Sequence, residues 1–217
     1  MLSRLSRLGR PALSHLNKRP VVTSSSLRRF STASDDEAET MEYDVVIVGA
    51  GPAGLSTAIR LRQLCEEHDA DLSVCLLEKG SYVGAHILSG NVFEPRALNE
   101  LFPDWKEMGA PLETEVTEDK FMFFPNEKSK ITVPHIFMPK SIDNHGNYII
   151  SLGQLCEWLA EQAEELGIEI LPGISGDEIL YGEDSDQVIG IRTGDMGIGK
   201  DGEMKDTFEP GIDIMAK

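Results

Sequence analysis

Residues 44–55 constrain the fold of this chain more than any other stretch. They begin with an apolar, β-branched run, Val45 to Val48, which leads into the pattern G-x-G-x-x-G and then into a helical pattern. In such a turn, Gly49 allows the sharp change of direction, Gly51 allows a pyrophosphate to approach the backbone, and Gly54 allows helix and strand to pack closely. The spacing therefore predicts a dinucleotide-binding unit.

The residues after the turn complete a β-α-β unit. Apolar side chains recur at helical spacing from Leu55 to Leu64, and residues 72–77 form a second apolar run that is typical of a buried strand. Glu78 ends this run, at about the distance from Gly54 expected of an acid that binds a ribose hydroxyl. Because a carboxylate there repels a 2′-phosphate, Glu78 argues against NADP. We predict an α/β fold with a Rossmann-like, FAD-binding parallel sheet.

Residues 1–30 have the composition of a mitochondrial transit peptide. They contain seven basic residues, many serines and no acid, and they lack the apolar core of a secretory signal. We expect processing before Ser31; a basic tail retained in the mature protein is the alternative. Removal of seven positive charges changes the formal net charge from −17 to −24. Such a protein is not expected to bind nucleic acid, and any membrane contact should be apolar rather than electrostatic.

The rest of the chain divides by composition and pattern. Residues 31–42 are interpreted as an acidic linker, and the FAD-binding unit covers residues 43–80. Residues 81–147 carry six prolines and are predicted to be an inserted, β-rich region. Residues 148–193 continue the FAD-binding domain with a helix, a parallel strand at 168–171 and an antiparallel pair. Residues 194–217 are glycine-rich and polar, and we expect no closing element there, so that the fold is incomplete at its C-terminus.

The inserted region contains a predicted hairpin. Two apolar arms, residues 121–124 and 131–138, flank a polar turn. Because each arm is apolar at successive positions, both of its faces require shelter. The arms either pack on the domain or present an apolar patch to a membrane or a lipid-like substrate.

The three cysteines do not indicate a metal site. Cys65, Cys75 and Cys156 lie in predicted helices and strands and form no C-x-x-C pair, so this chain alone supplies neither a zinc site nor an iron–sulfur cluster. We expect buried thiols. The sequence offers no evident catalytic dyad, and we predict no catalytic residue and no metal ligand.

Motifs along the chain resemble those of the electron transfer flavoprotein-ubiquinone oxidoreductase family. The resemblance covers residues 44–217 and rests on the following motifs: Gly49 to Gly54, Glu78-Lys79, Gly84-Ala85-His86, Leu88-Ser89-Gly90, Leu101 to Trp105, Asn144 to Tyr148, Gly197-Ile198 and Lys200-Asp201-Gly202.

The resemblance implies an FAD and 4Fe-4S enzyme on the matrix side of the inner mitochondrial membrane. Such an enzyme takes electrons from reduced electron transfer flavoprotein and passes them to ubiquinone. Electron transfer requires well-placed cofactors more than a proton-shuttling side chain, which agrees with the lack of a catalytic dyad. The FAD-binding residues that we expect are Val48, Gly49, Ala50, Gly51, Pro52, Ala53, Gly54, Glu78, Lys79, Gly84, Ala85, Ser89 and Gly90.

The chain departs from this family in length. It ends after roughly the first third of such a protein, and we expect an N-terminal piece without the returning strand of the sheet, most of the quinone-binding domain and the cysteine ligands of the cluster. Two alternatives remain open. One is the front half of another FAD-dependent monooxygenase or reductase, and the other is a non-catalytic truncated product.

Overall fold

The computed structural model describes residues 39–183 and 186–217, so the predicted transit peptide and most of the predicted linker lie outside the described residues. The elements of the described residues are, in chain order, β1 (Thr40–Tyr43), β2 (Val45–Val48), α1 (Pro52–Glu67), β3 (Val74–Glu78), β4 (Ser89–Phe93), α2 (Arg96–Leu101), β5 (Thr114–Glu115), β6 (Phe121–Asn126), β7 (Ser129–Val133), two short 3-10 helices (His135–Phe137 and Lys140–Ile142), β8 (Tyr148–Ser151), α3 (Leu152–Glu165), β9 (Glu169–Pro172), β10 (Gly176–Tyr181), β11 (Val188–Thr193), β12 (Met196–Ile198), β13 (Met204–Glu209) and β14 (Asp213–Ala216).

A three-stranded parallel sheet with the order β2-β3-β9 positions the predicted site. Val45 to Val48 pair in register with Val74 to Leu77, and β3 continues in parallel to β9. Helix α1 connects β2 to β3, as the glycine pattern predicts. The three strands expected from the apolar runs are therefore present.

This sheet is covered on both faces. Val74 and Leu76 belong to a buried cluster that includes the apolar sides of α1 and α3. Cys75 and Leu77 point the other way and pack in a second cluster with Ile214 of β14. Because successive residues of a strand face opposite sides, continuous apolar runs such as those of β2 and β3 are typical of a sheet buried between two layers.

The second layer is a four-stranded sheet with the order β1-β14-β11-β10. It contains two strands that the sequence did not predict: Thr40–Tyr43 lies where a linker was expected, and β14 lies where no closing element was expected. The two strands pair in parallel and bury Tyr43 and Ile214, which are 7% and 0% exposed. The predicted antiparallel pair is confirmed as β10 and β11. The outer side of β2 has no paired strand among the described residues.

The inserted region contains the sheet β4-β8-β5 and the predicted hairpin. In the hairpin, formed by β6 and β7, Phe121 pairs with Val133 and Phe123 pairs with Ile131. Most of its side chains are exposed, with Phe123 at 58% and Phe137, four residues beyond β7, at 76%. Of the two alternatives, the structure favours an exposed apolar patch over packing on the domain. No helix within residues 39–183 and 186–217 is long and apolar enough to cross a bilayer.

Candidate dinucleotide-binding site

The turn between β2 and α1 is shaped by its glycines. The Gly49 N–H donates to the carbonyl oxygen of Leu77 at 2.8 Å, which extends the sheet by one residue. Gly49 then adopts φ +102°, a backbone conformation that residues other than glycine rarely adopt. Gly51 is the residue that precedes α1, and Pro52 occupies the first helical position, where its missing N–H is not needed.

Two glycines of the turn differ in what surrounds them. A Cβ atom added to Gly54 would clash with the carbonyl oxygen of Gly49, so this glycine is required for contact between α1 and the turn. A Cβ atom added to Gly51 would meet no heavy atom within 4 Å. Gly51 therefore borders open space, and it does so with φ −80°, which any residue can adopt.

The start of α1 has the electrostatic character of an anion site. The first N–H groups of a helix lack acceptors within the helix, and the helix dipole adds a partial positive charge there. In α1 no side chain caps these groups, and the first turn carries no acidic residue. The open side of the turn therefore offers N–H groups to a phosphate.

Glu78 lies at the end of β3, where its carboxylate reaches the turn. Its Oε2 accepts a hydrogen bond from the N–H of the buried Ala50 at 3.0 Å, and its Oε1 accepts one from the N–H of Gly80 at 2.7 Å. A carboxylate has about four acceptor positions, so acceptors remain for a ribose hydroxyl. The open turn, the uncapped helix and this oriented acid together fit a dinucleotide that has a free 2′-hydroxyl. Lys79, the next residue, is exposed.

Gly84 and Ala85 lie in the loop after β3. Gly84 adopts φ +92°, and a Cβ atom there would lie 2.7 Å from the carbonyl oxygen of Gly153, in the first turn of α3. The Ala85 N–H donates to the carbonyl oxygen of Tyr82 at 3.3 Å. The structure thus gives Gly84 a packing partner that the sequence analysis missed. The available signal was Gly153 itself, since a glycine within a helix usually has a packing reason.

Ser89 and Gly90 lie in β4 and line a cavity of about 600 Å³ between the sheet β4-β8-β5 and α3. Thr114, Glu157 and Trp158 line the same cavity, whereas no residue of the glycine turn does. Ser89 and Gly90 are thus the predicted site residues at this cavity, and Glu78, Gly84 and Ala85 do not line it.

The buried tyrosine and cysteine side chains lie on both faces of the parallel sheet. The Tyr43 hydroxyl donates to Oε2 of Glu169 at 2.7 Å, and burial together with this bond raises the pKa of Tyr43. Burial also raises the pKa of the Cys75 thiol to about 11, and that of Cys156 to about 11. Cys65 is buried as well, in agreement with the expected core thiols. Neutral thiols are poor nucleophiles, so we assign these buried cysteines to the core rather than to catalysis.

Known proteins provide an independent comparison. The model of the NAD(P)-binding Rossmann-like domain matches residues 47–102. The electron transfer flavoprotein-ubiquinone oxidoreductase of Pseudomonas aeruginosa is 58% identical over 182 residues, which are 83% of this chain and 33% of that protein. The mitochondrial enzyme of the same name from Sus scrofa is 57% identical over 176 residues, 81% of this chain and 28% of that protein. The one from Dictyostelium discoideum is 51% identical over 94% of this chain and 32% of its own length.

These relatives confirm the resemblance that the motifs indicate. The chain spans about a third of the length of the curated relatives it matches. Among solved structures, a geranylgeranyl bacteriochlorophyll reductase-like protein from Thermoplasma acidophilum aligns with a TM-score of 0.56 at 20% identity, covering 82% of this chain and 38% of that one. The p-nitrophenol 4-monooxygenase from Pseudomonas putida aligns with a TM-score of 0.51 at 20% identity, covering 82% and 40%. The Rossmann-like α/β fold is therefore confirmed.

Proposed function

We propose that this relative of the electron transfer flavoprotein-ubiquinone oxidoreductases binds FAD at the β2-α1 turn. As part of a complete enzyme, it serves the transfer of electrons from reduced electron transfer flavoprotein to ubiquinone, on the matrix side of the inner mitochondrial membrane. The observation that carries the proposal is the Glu78 carboxylate, hydrogen-bonded to the Ala50 N–H beside an open turn. It occurs in a chain that is 51–59% identical to enzymes of that name.

The residues of the turn hold the adenosine half of the cofactor. The N–H groups at the start of α1 bind the pyrophosphate, next to Gly51, and Glu78 accepts hydrogen bonds from the ribose. Val48 to Gly54 and Lys79 form the walls of this part of the site. Gly84, Ala85, Ser89 and Gly90 are proposed along the remainder of the cofactor. FAD, when bound, carries the electrons, so the chain's own task is to bind and orient it. We assign no residue of this chain to the 4Fe-4S cluster of the complete enzyme.

The first prediction concerns Gly51. We expect Gly51→Val to abolish flavin binding while the fold is retained, because its Cβ atom enters the open space beside the turn and meets no protein atom within 4 Å. Flavin content after purification with excess FAD measures the first effect, and thermal unfolding measures the second. The matched control is Gly54→Val, which clashes with the Gly49 carbonyl and should lower the melting temperature as well.

Two results would contradict this proposal. Equal flavin content in the parent and in Gly51→Val would show that the pyrophosphate does not bind at the turn. Rapid reduction of bound flavin by NADPH in stopped flow would instead place the chain with flavin monooxygenases or reductases. In the complete enzyme, quinone reduction that depends on reduced electron transfer flavoprotein should fall in proportion to the flavin lost.

We further propose that the hairpin supplies the contact with the membrane or with the quinone tail. Both arms carry exposed apolar side chains: Phe123 and Phe124 of β6 are 58% and 61% exposed, and Ile131 of β7 is 55% exposed. Ile136 and Phe137, which follow β7, are 86% and 76% exposed. Adjacent apolar side chains of this kind usually mark an interaction surface.

The second prediction tests this contact. Phe123→Asp and Phe137→Asp should release the protein from phosphatidylcholine vesicles in a flotation assay, because each carboxylate must otherwise be desolvated at the bilayer surface. Flavin content should not change. The matched control is Met204→Asp on the hairpin formed by β12 and β13, where Met204 is 67% exposed. If the two phenylalanine variants still float as the parent does, the hairpin has no role in membrane contact.

A further inference from the structure

The hairpin differs in the sign of its charge from residues 31–217 as a whole. Residues 121–138 contain Lys128 and Lys130 but only one acid, Glu127, which gives a net charge of +1. Residues 31–217 as a whole carry −24, since residues 1–30 contribute seven of the positive charges. A net charge calculated for the whole chain therefore conceals a local positive patch on this exposed apolar hairpin.

The lysines of the hairpin are available to a partner. Lys128 and Lys130 are both exposed, and neither forms an ion pair among the described residues. By contrast, Lys120, just before β6, pairs with Glu118. Lys128 lies in the turn, whose shape is fixed by bonds from the Lys128 N–H and the Ser129 hydroxyl to the side-chain oxygen of Asn126.

The faces of the hairpin show how it can meet a surface. Two pairs of apolar residues lie directly opposite each other in the hairpin, Phe121 with Val133 and Phe123 with Ile131. Because the pairs are two residues apart along each strand, all four side chains share one face. If the hairpin entered the bilayer with its turn first, the charged Glu127 and Lys128 would be buried. If the hairpin instead contacts the bilayer through its apolar face, the turn stays at the level of the lipid headgroups. Long lysine side chains can reach that level from either face of a two-stranded ribbon.

We propose that this hairpin binds bilayers that carry anionic phospholipids, with Lys128 and Lys130 on the lipid phosphates and the paired apolar residues below them. This inference rests on the membrane contact in the proposed function and adds the class of lipid that the hairpin selects. It replaces the expectation, drawn from net charge alone, that the contact is purely apolar. Interfacial segments of this kind combine apolar burial with attraction to anionic lipid.

A second exposed hairpin in the same chain has the opposite charge. The hairpin of β12 and β13 also exposes apolar side chains, with Ile198 at 44% and Met204 at 67%. Residues 195–209, however, contain five acids and two lysines, for a net charge of −3. Anionic lipid would repel this hairpin, so of the two hairpins only the one formed by β6 and β7 has the charge to bind an anionic membrane.

The experiment compares two double variants that remove the same number of charges. Lys128→Gln/Lys130→Gln is tested against Lys200→Gln/Lys205→Gln, the latter from the acidic hairpin. Both are made in the full chain with the seven basic residues of 1–30 replaced by glutamine, so that these residues cannot bind lipid. Partitioning is measured on vesicles of phosphatidylcholine alone and of phosphatidylcholine with phosphatidylglycerol, at low and high salt. Circular dichroism confirms that each variant is folded.

We expect the parent to bind the anionic vesicles more tightly than the neutral ones, with the difference lost at high salt. Lys128→Gln/Lys130→Gln should weaken binding to the anionic vesicles by about fivefold for each lysine and leave binding to neutral vesicles unchanged. The Lys200→Gln/Lys205→Gln control should bind as the parent does.

Several outcomes would overturn this inference. Equal parent binding to both kinds of vesicle removes lipid selection but leaves the apolar membrane contact intact. No parent binding to either kind rejects the membrane contact of the proposed function itself. If the control variant loses as much binding to anionic vesicles, the binding depends on the net charge of the protein rather than on the lysines of the hairpin. A dimer that sediments without lipid and is abolished by Phe123→Asp would show that a second copy of the chain, rather than a membrane, covers the apolar face of the hairpin.

Discussion

The glycines of this chain act in two different ways, and the difference is visible only in the structure. Gly54 and Gly84 lie against backbone atoms, whereas Gly51 and Gly90 border open space. The geometry of the turn could be predicted because the glycine pattern is local and each spacing has a physical reason. The contact of Gly84 could not be predicted, because its partner in α3 is distant in sequence and no local pattern joins them.

Gly84 and Gly90 form a matched pair for a test at this scale. Both have positive φ angles, +92° and +76°, so an alanine at either position carries backbone strain of about 1 kcal/mol or more. Only at Gly84 does the added Cβ also approach a carbonyl oxygen, that of Gly153. We expect Gly84→Ala to lower the free energy of unfolding in urea by more than Gly90→Ala does. Equal losses would mean that α3 does not pack on this loop.

At the scale of elements, strands with a strong apolar run were predictable and short strands of mixed composition were not. The strands β2, β3 and β9 are apolar enough to indicate a covered sheet. Strands β1 and β14 have four residues each, too few for alternation to be distinguished from chance. Each of these two strands forms by pairing in parallel with the other, and they lie at opposite ends of the described residues.

The pairing of β14 can be tested through Ile214. This side chain is fully buried, so Ile214→Ala should remove about 2–5 kcal/mol of unfolding free energy, from lost burial and the cavity left behind. The control is Ile198→Ala, because Ile198 is 44% exposed and should tolerate the change with little loss. Thermal and urea unfolding of both variants provide the comparison. A small effect at Ile214 would indicate that β14 is not part of the folded core.

At the scale of the whole molecule, hydrogen bonds join parts that are far apart in sequence. Asp44, between β1 and β2, accepts bonds from the N–H and hydroxyl of Ser73 at 2.9 and 2.8 Å. The Lys217 ammonium donates to the same carboxylate at 3.0 Å. These partners connect the first strands, the start of β3 and the last residue of the chain.

This carboxylate should contribute to acid sensitivity. The Ser73 N–H and hydroxyl, followed by Lys217, lower the pKa of Asp44 from 3.8 to about 2. Because the folded pKa is the lower one, the contribution to stability is present above the ordinary value and is lost as the pH falls toward 2. We expect Asp44→Asn to flatten the pH dependence of the melting temperature in that range and to leave its slope near neutral pH unchanged. An identical acid profile in both proteins would contradict this prediction.

Within residues 39–183 and 186–217 no strand pairs with the outer side of β2, and this has a consequence for work with the purified protein. Val48 is 56% exposed at this edge, and strand edges with free N–H and carbonyl groups are templates on which other chains can add. Such addition is intermolecular and grows with concentration, so it is governed by solubility rather than by the free energy of folding. Light scattering across a dilution series, rather than a melting curve, is therefore the measurement that decides at what concentration the chain remains a monomer.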